Sequence, residues 1–180
     1  MKHFLLAAVA VSTLAMPADA AVTPGPVVGG LTTFTDTNTG LIWAKLDNFF
    51  GLTHNQMAAL VGAAGFTVAV RSDVETLLGT LPLGGGAWAS YAAIMGQAPN
   101  RELIWGSYGP VSGTNLVGWA FAFSSDTNWG FVDDTIDADT VPNPDSDFAD
   151  MNIWAFTTEG GVIPEPATWA MLIAGFGMVG

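Results

Sequence analysis

Sorted by where apolar side chains recur, the chain falls into three unlike parts. Phe4 through Val11 is an unbroken apolar run, and Ala167 through Gly180 carries no charge at all. Between them the apolar positions follow two different periods. Met57, Leu60, Val61 and Ala64 recur at i, i+3, i+4 and i+7, which predicts a helix. It opens on Thr53-His-Asn-Gln56, the capping-box spacing, and Gly65 stops it. Ser72-Asp-Val-Glu75 repeats the device for a second helix with Val74, Leu77, Leu78 and Leu81 on its apolar face and Gly79 and Pro82 as breakers. Phe66–Val70 links the two as a short strand or extended segment.

Elsewhere in the middle the period is two. Leu41-Ile-Trp-Ala-Lys-Leu46 reads as a strand, and Asp36, Asn38 and Gly40 sit before it where a tight turn wants them, so Phe34–Leu46 is expected to be a hairpin. Leu103–Tyr108, Leu116–Phe123, Trp129–Val132 and Asn152–Thr157 are short aromatic strands separated by Gly, Ser, Asn and Pro. In the second of these, Trp119, Phe121 and Phe123 alternate with Gly118, Ala120 and Ala122, so one face is bulky and the other small. Two helices early and antiparallel strands late predict an α+β domain over residues 31–160. The Pro- and Gly-rich stretch at 21–30 reads as a spacer, with folding from Leu31 onward.

Composition narrows the partners. Of 180 residues half are apolar and 11% charged, which excludes the low-hydrophobicity, high-charge signature of disorder. Sixteen acids against four Lys and Arg give a formal charge of −12, so the surface repels polyanions and nucleic acid is not an expected partner. The absence of cysteine removes disulfides, thiolate catalysis and Cys-ligated zinc.

The two apolar ends read as addresses. Lys2 and His3, the apolar run, and Ala18-Asp-Ala20 follow the order of a secretory signal peptide over residues 1–20, cleaved after Ala20 with Ala18 and Ala20 as the small-residue site. The final run of roughly 14 residues would extend about 21 Å as a helix, short of a hydrocarbon layer near 30 Å. Gly175, Gly177 and Gly180 also weaken it as a core helix.

Candidate chemistry in the middle is sparse. After removal of the signal peptide the basic side chains are Lys45, Arg71 and Arg101, and the one histidine is His54, expected to be solvent-exposed at the start of its helix. Neither Gly106-Ser-Tyr-Gly109 nor Ser112-Gly113 matches a nucleophile elbow. Asp133, Asp134, Asp137 and Asp139 head an acidic region that extends to Asp150. The reading preferred is a solvated acidic loop, with calcium as the sharper alternative, because hard oxygen ligands in loops suit that ion; the spacing is not that of an EF-hand. Trp43, Trp105, Trp119, Trp129 and Trp154 are expected in the core, with a sugar-stacking platform as the alternative for any left exposed.

Two resemblances add to this. Asp36-Thr-Asn-Thr-Gly40-Leu-Ile-Trp43, Gly65 to Leu77, Ile104-Trp-Gly-Ser107, Gly118 to Phe123 and Asn152-Ile-Trp-Ala-Phe156 together resemble the exported domain family found at the C-terminus of a collagen-like adhesin. The likeness covers about Phe34 to Thr158 and implies a C-type-lectin-like fold and an extracellular recognition module without catalysis. Where that family has a Trp-Arg-Leu-Pro run, this chain has Phe66-Thr-Val-Ala-Val-Arg71. At the other end, Pro164-Glu165-Pro166 followed by the uncharged run to Gly180 resembles the PEP-CTERM sorting signal. That resemblance implies residues 162–180 as a sorting signal with a short membrane helix, processing at Pro164, Glu165 and Pro166 by an exosortase-type membrane protease, and association with the cell surface and extracellular polysaccharide. The arginine cluster that normally closes such signals is missing, so the helix is expected to be short or truncated.

The expectation is therefore an exported bacterial cell-surface protein with a structural or adhesive role in the polysaccharide matrix, not an enzyme, with signal peptidase, the exosortase-type protease and the membrane as partners. A carbohydrate- or calcium-binding lectin-like module is the alternative. An envelope hydrolase, resting only on the abundance of acids, comes third. No cofactor is expected beyond the alternative of calcium.

Overall fold

The turn at Asp36–Gly40 shows how local chemistry sets the first sheet. Asp36 Oδ1 accepts from the Asn38 amide at 2.9 Å and Oδ2 from the Thr39 hydroxyl at 2.6 Å, while Gly40 takes a φ of 73°. This turn joins β2 (Thr33–Asp36) to β3 (Ile42–Ala44), with Phe34 opposite Trp43, as the expected hairpin. The computed structural model describes residues 21–110, 114–140 and 148–158. Ala18, Ala20, Pro164, Glu165 and Pro166, and with them the signal-peptide and sorting-signal expectations, lie outside those residues.

The stretch read as a spacer belongs to the fold. A strand, β1 (Val22–Pro24), pairs antiparallel with β2 and buries Val22 to 1% exposure. Further on, Gly29 has a φ of 56° and lies so close to Ala64 that a side chain there would overlap it. The Pro and Gly content suggested a linker, but it instead serves a strand edge and a close backbone approach.

The helix α1 (His54–Ala63) is capped as its sequence predicts: Thr53 Oγ1 accepts from the Gln56 amide at 3.1 Å and Gln56 Oε1 from the Thr53 amide at 2.9 Å. Met57 and Val61 are buried, while Leu60, expected beside them, is 48% exposed. A short strand, β4 (Thr67–Val68), follows. The second helix, α2 (Arg71–Gly79), starts earlier than its predicted cap. Val70 is the cap residue, and Asp73 Oδ2 accepts from its amide at 3.0 Å, leaving Glu75 to pair with Arg71. A third helix, α3 (Ala87–Met95), was not predicted. It starts from Gly86 at a φ of 82° with no side-chain cap, behind a glycine turn at Gly84–Gly86, so it carries none of the usual start signals. Its buried residues Trp88, Ala92 and Met95 nonetheless keep the i, i+4, i+7 spacing.

The late segments are strands: β5 (Leu103–Pro110), β6 (Leu116–Phe123), β7 (Gly130–Asp137), β8 (Asn152–Ile153) and β9 (Ala155–Thr157). Thus Asp133, Asp134 and Asp137, expected in an acidic loop, lie on a strand. The strand expected at Trp129–Val132 runs on through these acids, with Phe131 packed against the main core and Ile136 against the Leu103–Trp105 cluster. Five strands form one sheet in the order β1-β2-β3-β9-β4, and four form another in the order β7-β6-β5-β8, all antiparallel except β5 with β8. Among the described residues the fold is α+β with mainly antiparallel sheets and three short helices.

Trp154 is where the chain changes sheets. Its amide donates to Ser107 O on β5 and its carbonyl accepts from the Ala69 amide, both at 2.8 Å, and the side chain is fully buried between the layers. Trp43 of the first sheet meets it edge to face with ring centroids 6.2 Å apart, and Phe34 and Phe156 pack on Trp43 in turn. Ile104, Tyr108, Ala120 and Ala122 of the second sheet, with residues of α2 and α3, complete this core. A smaller core lies under α1, where Met57 and Val61 pack with Ala44, Phe66, Ile153 and Ala155. Small residues of β6 therefore point inward, which lets Tyr108 lie against Gly118, and the bulky ones point out.

Candidate functional site

The outward side of β5 and β6 is the most chemically distinctive surface of the described residues. Register places Leu103 opposite Phe123 and Trp105 opposite Phe121, with Trp119 opposite Ser107. Period-two alternation puts all of these on one face. Phe148 is laid over them, stacked on Trp105 with ring centroids 5.7 Å apart and edge-on to Trp119 at 5.7 Å. Together with Arg101 they line a groove of about 310 Å³. Trp105 is buried at its base; Phe123 and Phe148 are exposed at 45% and 37%.

One end of the groove is polar. The Arg101 guanidinium lies 5.6 Å from the centre of the Trp105 ring, and its Nε is 3.2 Å from Asp150 Oδ2. Trp105 Nε1 donates to the Asp150 carbonyl at 3.1 Å, which ties the base of the groove to the same turn. Asp150 is buried, and its Oδ1 has no hydrogen-bond partner among the described residues.

Next to the groove on the same face, the N-terminus of α1 covers Ser107. His54 Nδ1 is 2.9 Å from Ser107 Oγ, and that hydroxyl donates to the Asn152 carbonyl at 3.1 Å. With the serine proton committed to Asn152, Nδ1 is the donor to Ser107. Burial pushes the imidazole pKa down to about 4. His54, expected in solvent, is therefore a buried link between α1, β5 and β8. Ser107 is fully buried with its proton already donated to a carbonyl, so the pair holds structure together and offers no nucleophile to solvent.

The predicted acidic ligands go to two different places. Asp133 makes an ion pair through Oδ2 with Arg71 Nη1, and Oδ1 accepts from the Tyr108 hydroxyl at 2.6 Å. Burial, and then this carboxylate, push the Tyr108 pKa up. A hydrogen bond to Glu75 raises that of Arg71, whose guanidinium also lies over the Phe131 ring. Asp137 and Asp139 instead share Asn115: its Nδ2 donates to Asp137 Oδ1 at 2.9 Å and to Asp139 Oδ2 at 3.3 Å, while Asn55 Nδ2 donates to Asp139 Oδ1 at 2.6 Å. Asp134 is placed by its backbone on β7. Among the described residues no three His, Asp or Glu side chains converge as a metal site.

Of the tryptophans, Trp43, Trp105 and Trp154 are core, as expected, whereas Trp119 and Trp129 are half-buried. Arg101, Phe148 and Asp150 escaped sequence reasoning as members of one site. The available signal was β5 itself, apolar at both alternations, which marks a strand covered on both faces. No family model, curated protein or solved structure matches the chain. Among the described residues no helix is long and apolar enough to cross a membrane.

Proposed function

We propose that this chain is an exported bacterial cell-surface protein, delivered by its N-terminal signal and sorted through Pro164-Glu165-Pro166 by an exosortase-type system. Its body serves as a non-catalytic, lectin-like structural or adhesive module in the extracellular polysaccharide matrix. The observation that carries the role is the aromatic groove of Trp119, Phe121, Phe123 and Phe148: a site built for contact, set on a paired sheet, beside a histidine and serine that are both buried. The α+β composition and mainly antiparallel sheets support the lectin-like element of the reading. The strong negative charge and the lack of cysteine are compatible with an exported bacterial protein and leave nucleic acid aside.

Intact-mass and terminal-peptide mass spectrometry of the protein recovered from its own host tests the delivery. The expected species starts at Ala21 and has lost the residues after the Pro-Glu-Pro site, and it is found in the envelope or medium. Recovery of the uncut 180-residue chain from the cytosol overturns the reading.

A further inference from the structure

We propose that the aromatic groove on β5 and β6 is occupied by the chain's own uncharged run at residues 167–180, with Trp169 as the anchor, until that run is removed. The proposal rests on the sorting reading above and adds a regulatory contact to it: trimming at Pro164-Glu165-Pro166 takes the occupant away and opens the groove. β6 turns Trp119 and Phe121 outward with Phe123, where an antiparallel strand facing water carries polar residues. Phe148 covers only part of this face, since Phe123 stays 45% exposed and Phe148 itself 37%. A contiguous apolar face of this kind marks a contact site, and a groove of about 310 Å³ takes an aromatic anchor with its neighbours.

Aromatic walls would serve any apolar group, and charge and tethering select this one. The run at 167–180 contains no Asp, Glu, Lys or Arg, so the −12 of the chain does not repel it, whereas a second copy brings the same charge to the contact. The run is also within reach. Phe148 and Thr158 are ten residues apart along one continuous stretch, so at most about 36 Å separates them, and the eleven residues from Thr158 to Trp169 extend at least as far. Because the stretch from Phe148 to Thr158 bends from one sheet to the other at Trp154, the true separation is shorter and the tether has slack. A tether of this length holds the run at an effective concentration on the order of millimolar, which a separate partner must match by abundance.

The lack of cysteine makes the contact testable by engineered disulfides in the full chain. Ser124→Cys, at the rim beside Phe123, is combined with Thr168→Cys, beside the anchor, and oxidation by diamide in detergent-free buffer is followed by non-reducing gels and peptide mass spectrometry. The comparison pairs Thr168→Cys with Asn38→Cys. Asn38 lies in the turn before Ile42, which pairs with Thr157, so it sits near the root of the tether. The expected result is an intramolecular disulfide that forms severalfold faster in the Ser124 pair than in the Asn38 pair, and that falls to the Asn38 rate when Trp169→Ser is added. Phe123→Ser, at an exposed wall position, should lower it likewise from the other side of the contact. Equal rates in the two pairs, a Ser124 rate unmoved by both serine variants, or a mainly intermolecular disulfide, which would make a second copy the occupant, overturns the proposal. The oxidation is run on the untrimmed chain and so does not depend on export. Uncut chain in the cytosol would therefore sink the sorting reading and leave the docked run standing, and equal rates alongside correctly trimmed ends would do the reverse.

Discussion

At the residue scale, two positions translate directly into measurable stability. The folded state holds His54 neutral down to a pKa of about 4, against about 6.5 for a free histidine. Between those values the unfolded chain binds a proton that the folded one refuses. The contribution is therefore complete above pH 6.5 and is lost on acidification, amounting to about 3 kcal/mol by pH 4. Urea unfolding at pH 7.5 and pH 4.5 should show His54→Asn losing less stability on acidification than wild type by roughly that amount; equal losses would mean that the imidazole is not buried neutral. Gly118 is the second position. A methyl group there would overlap the Tyr108 ring, which Asp133 pins from the other side, so Gly118→Ala should cost about 1–3 kcal/mol in thermal or urea unfolding. An unchanged melting temperature would show that Tyr108 is free to move.

At the scale of elements, what the pattern revealed and what it hid have a common cause. The hairpin at β2 and β3 and the start of α1 were legible because their decisive contacts are local: Asp36 with Asn38 and Thr39, and Thr53 with Gln56. α3 and the true start of α2 were not, because Gly86 and Val70 offer no capping side chain and tertiary packing of Trp88, Val74 and Leu77 decides their position. The candidate site was hidden for the same reason. Arg101, Trp119 and Phe148 come from two loops and a strand and meet only in the tertiary fold, and the long-range bond of His54 to Ser107 spans 53 positions. Capping supplies a direct comparison. Thr53→Ala should destabilise by about 1 kcal/mol, whereas Ser72→Ala, at the position whose sequence also resembles a cap, should stay within about 0.5 kcal/mol of wild type. Equal effects in denaturant titrations would place the start of α2 at Ser72 after all.

At the scale of the whole molecule, Asp133, Asp137 and Asp139 are distributed among separate partners, not pooled. Asp133 is held by Arg71 and Tyr108, and Asp137 and Asp139 by Asn115 and Asn55, so calcium would have to displace existing partners to gather them. Thermal unfolding in millimolar calcium and in excess chelator should give the same midpoint; a rise of several degrees with calcium would restore the ion-binding alternative. The order of the first sheet matters on the same scale. Its last strand in sequence, β9, is inserted between β3 and β4, both of which come far earlier. A chain made from its N-terminus therefore holds an unfinished sheet, with the β3 and β4 edges unpaired, until the residues up to Thr157 are available. The interval in which those edges are open to self-association therefore closes only with the last strand of the described body.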